Sequence, residues 1–184
     1  MTARLPCVAG FVASDVRGVL RLYDRDGTAA MMDVTAARGN AVKIVVGVDG
    51  SERARHALAW CAAHAVEFDA ELVVVYVIDA AGVVHAPGNV PSPESSTVTA
   101  ADREAIRDRV TRDWCTPLAQ AAVPFRVRVM AGSPANAIIH AARTEDADLV
   151  VTGRRGRGGV AEVVLGSTNH TLARRLDRPL LTVP

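Results

Sequence analysis

Hydrophobic and polar positions follow two alternating periods along residues 41–184. Three segments are continuous runs of β-branched and aliphatic residues, at 42–48, 72–78 and 149–152. Such runs are typical of strands buried on both faces of a parallel sheet. Residues 125–130 alternate apolar residues with arginine, which predicts a strand with one exposed face near a sheet edge. Residues 180–183 form a short apolar segment between two prolines, which also favours an edge strand.

Helical periodicity occupies the stretches between these strands. Four helices are predicted: one after residues 49–51, one over roughly residues 100–121, one after residue 133 and a short one near residues 167–176. The third of them is expected to begin at Ser133-Pro134, where a side-chain oxygen accepts from free N–H groups and proline presets φ. The predicted buried faces are Ala54, Ala57, Leu58, Cys61 and Ala65 in the first helix, Ile106, Val110, Trp114 and Leu118 in the second, Ile138, Ile139 and Ala142 in the third, and Leu172 and Leu176 in the fourth.

Strands that alternate with helices predict a parallel α/β sandwich with about five strands in one sheet. Such sheets bind ligands beyond the carboxyl ends of their strands, where the strand order reverses. The loops after the first and fourth strands are the polar and glycine-rich ones, so they are the candidates for that position. Residues 80–97 are rich in proline, glycine and serine, which predicts a long loop of the kind that often serves as a lid or binding loop.

Residues 1–40 keep no clear period, and four glycines interrupt them. We therefore expect an irregular N-terminal extension, with a short strand at residues 19–23 and a turn at residues 24–27. Met31 and Met32 stand shortly before the patterned region. One hypothesis is that translation begins there and that the first 30 residues are not part of the native protein.

Composition and charge exclude several classes of function. The chain has 184 residues, of which 49% are hydrophobic and 22% charged, so it is able to form a core. Its net charge of +1 argues against a general nucleic-acid binder, although a small anion needs only a local basic patch. No apolar run reaches about 18 residues, so no membrane span is expected. Three widely spaced cysteines without a C-x-x-C pair suit a reducing cytoplasm.

A glycine-rich segment joins the fourth strand to the last helix, reading T-G-R-R-G-R-G-G at residues 152–159 and L-G-S-T at residues 165–168. Glycine allows close backbone approach, and N–H groups at a helix N-terminus favour an anion. Arg154, Arg155 and Arg157 add positive charge, so the segment predicts a phosphate cradle; a solvated surface turn is the alternative. The chain has no G-x-x-x-x-G-K-[ST] loop. A G-x-G-x-x-A match at residues 156–161 has only one strand after it, which excludes a dinucleotide fold.

The spacing G-x2-G-x9-G-S, formed by Gly153, Gly156 and Gly166-Ser167, resembles the ATP-binding branch of the universal stress protein family. Four further segments are similar to that family, namely I-V-V-G-V-D-G-S at 44–51, V-Y-V-I at 75–78, G-S-P at 132–134 and R-P-L-L-T-V at 178–183. The resemblance spans residues 41–184. It implies a three-layer sandwich with a five-stranded parallel sheet, Rossmann-like and of the adenine nucleotide alpha hydrolase-like type.

The resemblance also implies which residues bind the nucleotide: Asp49, Val77, Gly153, Arg155, Gly156, Gly166, Ser167 and Thr168. Asp49 is expected beside the adenosine, with a helix cap as its alternative role. Val77 is expected to contact adenine through its backbone, with ordinary core packing as the alternative. Gly153 and Gly156 would approach ribose and phosphates, and the remaining residues would hold the phosphates. Simple surface exposure is the alternative for Arg155. The family usually forms homodimers, commonly through the last strand.

Catalysis has little support in the sequence. The histidines are scattered over three helices, and neither a G-x-S-x-G motif nor a cluster with metal-ligand spacing is present. Glu162, in the glycine-rich loop, is a candidate ligand of a magnesium ion, but a single carboxylate is weak support for a metal site. The main hypothesis is therefore a cytoplasmic stress-response protein that binds ATP, with or without Mg²⁺, and is not an enzyme. The alternatives are a dimeric interaction module without nucleotide, a cyclic AMP binder and, last, an adenylyl transferase, whose H-x-G-H motif is absent.

Overall fold

The computed structural model describes residues 41–78, 99–154 and 166–184, and before them the backbone of three strands. These are β1 (Val12–Val16), β2 (Val19–Tyr23) and β3 (Ala29–Asp33). They form an antiparallel sheet with β2 in the centre. The strand predicted at residues 19–23 is confirmed, and the expectation of irregular structure is wrong for β1 and β3. Strands of five residues are too short for a period to stand out between neighbouring glycines.

The remaining strands form one parallel sheet in the order β6-β5-β4-β7-β8. They are β4 (Val42–Val48), β5 (Ala70–Ile78), β6 (Phe125–Ala131), β7 (Leu149–Gly153) and β8 (Leu180–Val183). The helices are α1 (Glu52–His64), α2 (Ala100–Arg109), α3 (Thr116–Gln120), α4 (Pro134–Thr144) and α5 (Ser167–Arg175). The predicted five-stranded parallel α/β sandwich is confirmed.

The sheet separates two apolar layers because successive side chains of a strand point to opposite faces. On one face, Ile44, Val46 and Val74 pack with residues of α1 and α3. On the other face, Val45, Val73 and Val150 pack with residues of α4 and α5. The predicted inward positions of the helices lie in these layers, either buried or partly buried against them. Helices on both faces of the sheet make this a three-layer sandwich.

The second predicted helix is interrupted. A π-helical turn (Val110–Trp114) separates α2 from α3, and the N–H of Cys115 donates to the carbonyl of Val110 at 3.2 Å. Pro117 gives the physical reason, because a proline inside a helix lacks the N–H donor and clashes with the carbonyl four residues earlier. An uninterrupted α-helix over residues 100–121 was therefore a wrong expectation.

The helix starts differ in how their N–H groups are satisfied. Ser51 caps α1 by accepting from the N–H of Ala54 at 3.2 Å. Thr99 and Asp102 form a capping box at α2. Ser133 occupies the cap position of α4 as predicted, but its side chain makes no capping hydrogen bond. Pro134 follows it, and its missing N–H removes one of the donors that a cap would satisfy.

The edge strand β6 carries charge on the face that it turns to α4. Arg126 and Arg128 both bind Glu145, the residue at the C-terminal cap of α4, and Arg126 also binds Glu71 of β5 at 2.5 Å. The side chain of Glu145 is only 13% exposed. The predicted edge strand with one polar face is confirmed, and charged side chains at such an edge discourage pairing with another chain.

Cys61 and Cys115 are fully buried free thiols. Burial raises the pKa of both thiols, that of Cys115 to about 12. In a Cys7→Ser variant, we expect a maleimide reagent at neutral pH to label neither thiol in the native state and both after unfolding, because the thiolate is the reactive form. Rapid labelling of the native variant would contradict this environment. Because thiols of the unfolded chain ionise first, the free energy of unfolding should also fall as pH rises above about 9.

Candidate functional site

The strand order reverses between β4 and β7, the two central neighbours. The chain passes from β4 to β5 on one side and from β7 to β8 on the other. The loops that follow β4 and β7 therefore diverge from one point at the carboxyl edge of the sheet, where α/β sheets bind ligands. The loops predicted to mark this position are the ones that the structure places there.

The strand register brings several predicted site residues into one row. Gly47 of β4 pairs with Thr152 of β7, and Val48 pairs with Tyr76 of β5. Continuing each register by one position sets Val48 beside Gly153 of β7 and Asp49 beside Val77 of β5. Three of the predicted residues thus lie on adjacent strands at the same edge.

Asp49 is half-buried, and its Oδ1 accepts from the N–H of Ser51 at 2.9 Å. The carboxylate therefore shapes the turn into α1, while Ser51 is the cap. Val77 is half-buried and packs against the layer on the α4 side. The carbonyl of Ile78 accepts from the N–H of Gly132 beyond β6. Because successive residues of a strand direct their backbone groups to opposite sides, those of Val77 face the β4 side, at the last paired residues.

Gly153 is required by packing. A Cβ at this position would lie 2.6 Å from the carbonyl carbon and 2.7 Å from the carbonyl oxygen of Arg53, in the first turn of α1. Side chains do not reach such distances, and the neighbouring atoms are backbone, so they cannot move aside cheaply. The glycine spacing predicted that Gly153 allows the close approach of a ligand. In the structure it permits the approach of a helix.

The cap residue of α5 makes no side-chain hydrogen bond to the first N–H groups of the helix. Gly166 is its cap residue, with φ −63° and ψ 156°, and Ser167 and Thr168 follow as an exposed and a half-buried residue. The first N–H groups of an α-helix have no acceptor within the helix, and the helix dipole is positive there. A glycine cap leaves these donors to another acceptor, so this helix start is able to bind an anion.

Arg154 stands between these two features. Its N–H donates to the carbonyl of Val183 at 2.7 Å, and its carbonyl accepts from the N–H of Gly166 at 3.4 Å. The side chain is half-buried, and its Nε has no hydrogen-bond partner among the residues that the structure describes. A buried guanidinium donor therefore lies at the carboxyl end of β7. Arg155, Gly156, Glu162 and residues 80–97 lie outside the described residues.

Asn169 is a site residue that the sequence analysis did not find. It is 3% exposed, and its Nδ2 donates to the carbonyls of Gly153 and Arg154 at 2.7 and 3.0 Å. Its Oδ1 accepts from the hydroxyl of Thr152 at 2.8 Å. The sequence contained only a weak signal, a polar residue at an inward position of the helix that carries Leu172.

The described residues contain no group of three or more histidine, cysteine and acidic side chains able to hold a metal ion. Two histidines have structural contacts: His56 Nδ1 lies 3.1 Å from the carbonyl of Pro184, and His64 stacks on Trp60. His140 and His170 are exposed on α4 and α5. Within the described residues, no helix is long and apolar enough to cross a membrane. Among the described residues, the polar groups at the carboxyl edge include the start of α5 and the Arg154 guanidinium.

Comparison with known proteins agrees with this geometry. Residues 41–184 match the sequence model of the Universal stress protein family. The chain belongs to this family. A universal stress protein of Methanocaldococcus jannaschii is 30% identical over 77% of this chain and 81% of its own length. The resemblance read from the glycine spacing is thereby confirmed at the level of the family.

Two solved structures of universal stress proteins share the fold. One, in complex with cAMP, has a TM-score of 0.56, is 24% identical and covers 78% of this chain and 96% of its own. The other, from Archaeoglobus fulgidus in complex with dAMP, has a TM-score of 0.53, is 19% identical and covers 78% and 98%. The Rossmann-like sandwich is therefore shared, and those two proteins are in complex with adenine nucleotides.

Proposed function

We propose that this universal stress protein binds an adenine nucleotide, with ATP as the expected ligand, and acts as a regulatory protein rather than an enzyme. The observation that carries the proposal is the start of α5 at the point of strand reversal, where glycine is the cap and Ser167 and Thr168 follow. Phosphate is the group that such a helix start binds best. The nucleotide complexes of the two structural relatives support adenine as the base.

The predicted residues other than Gly153, which is a packing position, each have a role in this proposal. The helix start binds phosphates through Gly166, Ser167 and Thr168, and the unpartnered Nε of Arg154 adds a donor at the same edge. Val77 meets the adenine through its backbone, and Asp49 lies between these two regions. Arg155 and Gly156 remain proposed phosphate contacts. Mg²⁺, when it accompanies ATP, is held through phosphates and water, as is usual for this ion.

Cyclic AMP is the second candidate ligand, favoured by the relative whose complex contains it. We further propose that the protein is cytoplasmic, which the two buried free thiols support. We also propose a homodimer formed through β8. This strand pairs only with β7 among the described strands and consists of apolar residues and one threonine. An apolar edge strand is favourable for pairing with a second copy.

Titration calorimetry with ATP, ADP, dAMP and cyclic AMP, each with and without Mg²⁺, tests nucleotide binding. We expect saturable binding of ATP by the wild-type protein. Thr168→Val should weaken it by about tenfold, since a hydrogen bond to a charged group contributes roughly 1.5–3 kcal/mol. Thr171→Val is the matched control one turn further along α5, where the hydroxyl donates to the carbonyl of Ser167. Its affinity should equal that of the wild type.

Tighter binding of cyclic AMP than of ATP would replace ATP as the ligand and keep the nucleotide site. Absence of heat and of thermal stabilisation with all four nucleotides, on folded protein, would refute the proposal. The alternative function would then be a dimeric interaction module that binds no nucleotide, and a dimer in analytical ultracentrifugation would support it.

A further inference from the structure

Both polar atoms of the Asn169 side chain have hydrogen-bond partners, in three bonds altogether. The two Nδ2 hydrogens donate to the carbonyls of Gly153 and Arg154, and Oδ1 accepts from the Thr152 hydroxyl. An amide has two donors and one acceptor atom, and here each of them has a partner. Thr152 is itself 5% exposed, so the bond between the two side chains is shielded from water.

The carbonyls of Gly153 and Arg154 determine which way the amide points, because a carbonyl oxygen only accepts hydrogen bonds. A side-chain amide can rotate by half a turn, which would place Oδ1 against the two carbonyls and leave the amide hydrogens facing elsewhere. The hydroxyl of Thr152 has one proton, and it is donated to Oδ1. A rotated amide would leave Oδ1 facing two carbonyls without a donor, whereas in the observed orientation the Thr152 hydroxyl supplies the donor that a buried amide oxygen needs.

The amide joins two elements that carry the candidate site. Gly153 and Arg154 end β7, while Asn169 lies in the first turn of α5, directly after Ser167 and Thr168. The direct backbone contact between these elements, from Gly166 N–H to Arg154 carbonyl, is long at 3.4 Å. The bonds of Asn169 to the same region are 2.7 and 3.0 Å. The side chain therefore makes the shorter connection.

We propose that Asn169, whose Oδ1 is satisfied by the Thr152 hydroxyl, is the positioning residue of the nucleotide site. It holds the start of α5 against the carboxyl end of β7, so that the N–H groups of Ser167 and Thr168 face the phosphates in one fixed direction. Fixed donors bind a developing or permanent negative charge without further ordering. The inference rests on the proposed nucleotide binding. It assigns the positioning of the helix start to Thr152 and Asn169, neither of which belongs to the G-x2-G-x9-G-S spacing.

A pair of variants at Thr152 separates positioning from packing. Thr152→Val keeps the shape and removes the hydroxyl, whereas Thr152→Ser keeps the hydroxyl and removes the methyl group. By calorimetry with ATP at a temperature well below unfolding, we expect Thr152→Val to weaken binding by about fivefold, the effect of one neutral hydrogen bond. Thr152→Ser should bind within about twofold of the wild type, even where its melting temperature is lower.

Asn169→Leu removes the amide itself, and its affinity should fall further, by about thirtyfold, if the variant folds. Val123→Ala is the control for lost stability alone, because Val123 is buried directly before β6, at the opposite edge of the sheet. It should lower the melting temperature and leave the affinity for ATP unchanged.

Equal affinities of the wild type, Thr152→Val and Thr152→Ser would overturn the inference while nucleotide binding stands. Equal losses in both Thr152 variants would also overturn it, because packing would then be the cause. A wild-type protein that binds none of the nucleotides refutes the proposed function, and the inference falls with it. The two failures are thus distinguished by the wild-type titration.

Discussion

Gly153→Ala is expected to lower the free energy of unfolding by about 3 kcal/mol, at the upper end of what overpacking costs. The added Cβ would lie within 2.8 Å of three Arg53 atoms, two of which belong to the backbone of α1. To relieve the contact, either the end of β7 or the first turn of α1 has to move. For a chain of this size the melting temperature should fall by roughly 10 °C, measured by calorimetry or circular dichroism.

Gly47→Ala is the matched control, because its added Cβ meets a neighbour at almost the same distance. That neighbour, 2.7 Å away, is the Cδ1 of Ile138, the far end of a flexible side chain. Rotation of the isoleucine relieves the contact, so the loss should be clearly smaller, about 1 kcal/mol. Equal losses in the two variants would show that the backbone contact of Gly153 is not the source of strain.

Because Gly153 packs against α1, a substitution there is a poor test of whether this residue contacts the phosphates. Asp49 and Ser51 form the turn into α1. Gly153 packs against Arg53, in the first turn of that helix. A substitution at Gly153 therefore disturbs the approach of two elements of the candidate site along with the fold. Loss of nucleotide binding in such a variant does not distinguish a phosphate contact from a packing position.

The parallel sheet was predictable because its strands are continuous apolar runs. Val42–Val48 and Ala70–Ile78 are largely buried on both faces. Strands that are covered on both faces of a parallel sheet have near-continuous apolar sequences, which distinguishes them from half-exposed strands. The Arg126-Val127-Arg128 alternation likewise predicted the edge. The π-helical turn had a signal in Pro117 that helical periodicity alone does not use. The ion pairs of Glu145 had none, since they depend on which helix covers β6.

The candidate site was predictable only in part. The positions of Gly166, Ser167 and Thr168 at a helix start follow from local sequence, because a strand end, glycines and a helix pattern succeed one another. The Thr152–Asn169 pair does not, since 17 residues separate its members and only the return of the chain to β7 brings them together. Gly153 illustrates a third case, in which the sequence identifies a special position and the structure supplies the cause.

Gly166→Asp is expected to change stability and nucleotide affinity in opposite directions. The cap residue has φ −63° and ψ 156°, a conformation open to any L-residue. Aspartate accepts from N–H groups at a helix start and complements the helix dipole, so the free energy of unfolding should rise by about 0.5–1 kcal/mol. The same carboxylate takes the position proposed for the phosphates and repels them. Affinity for ATP should fall by at least about 100-fold, the size of a coupling near 3 kcal/mol.

Two further substitutions at Gly166 separate the contributions. Gly166→Asn supplies a cap without charge, so it should weaken ATP binding less than aspartate does. Gly166→Ala supplies neither, and it should bind ATP nearly as the wild type does. Thermal unfolding and calorimetry on the four proteins give both quantities. Wild-type affinity in Gly166→Asp would place the phosphates elsewhere, whereas a lower melting temperature would show that the N–H groups of α5 already have acceptors. An open, anion-binding start of α5 predicts that Gly166→Asp is more stable than the wild type and binds ATP more weakly.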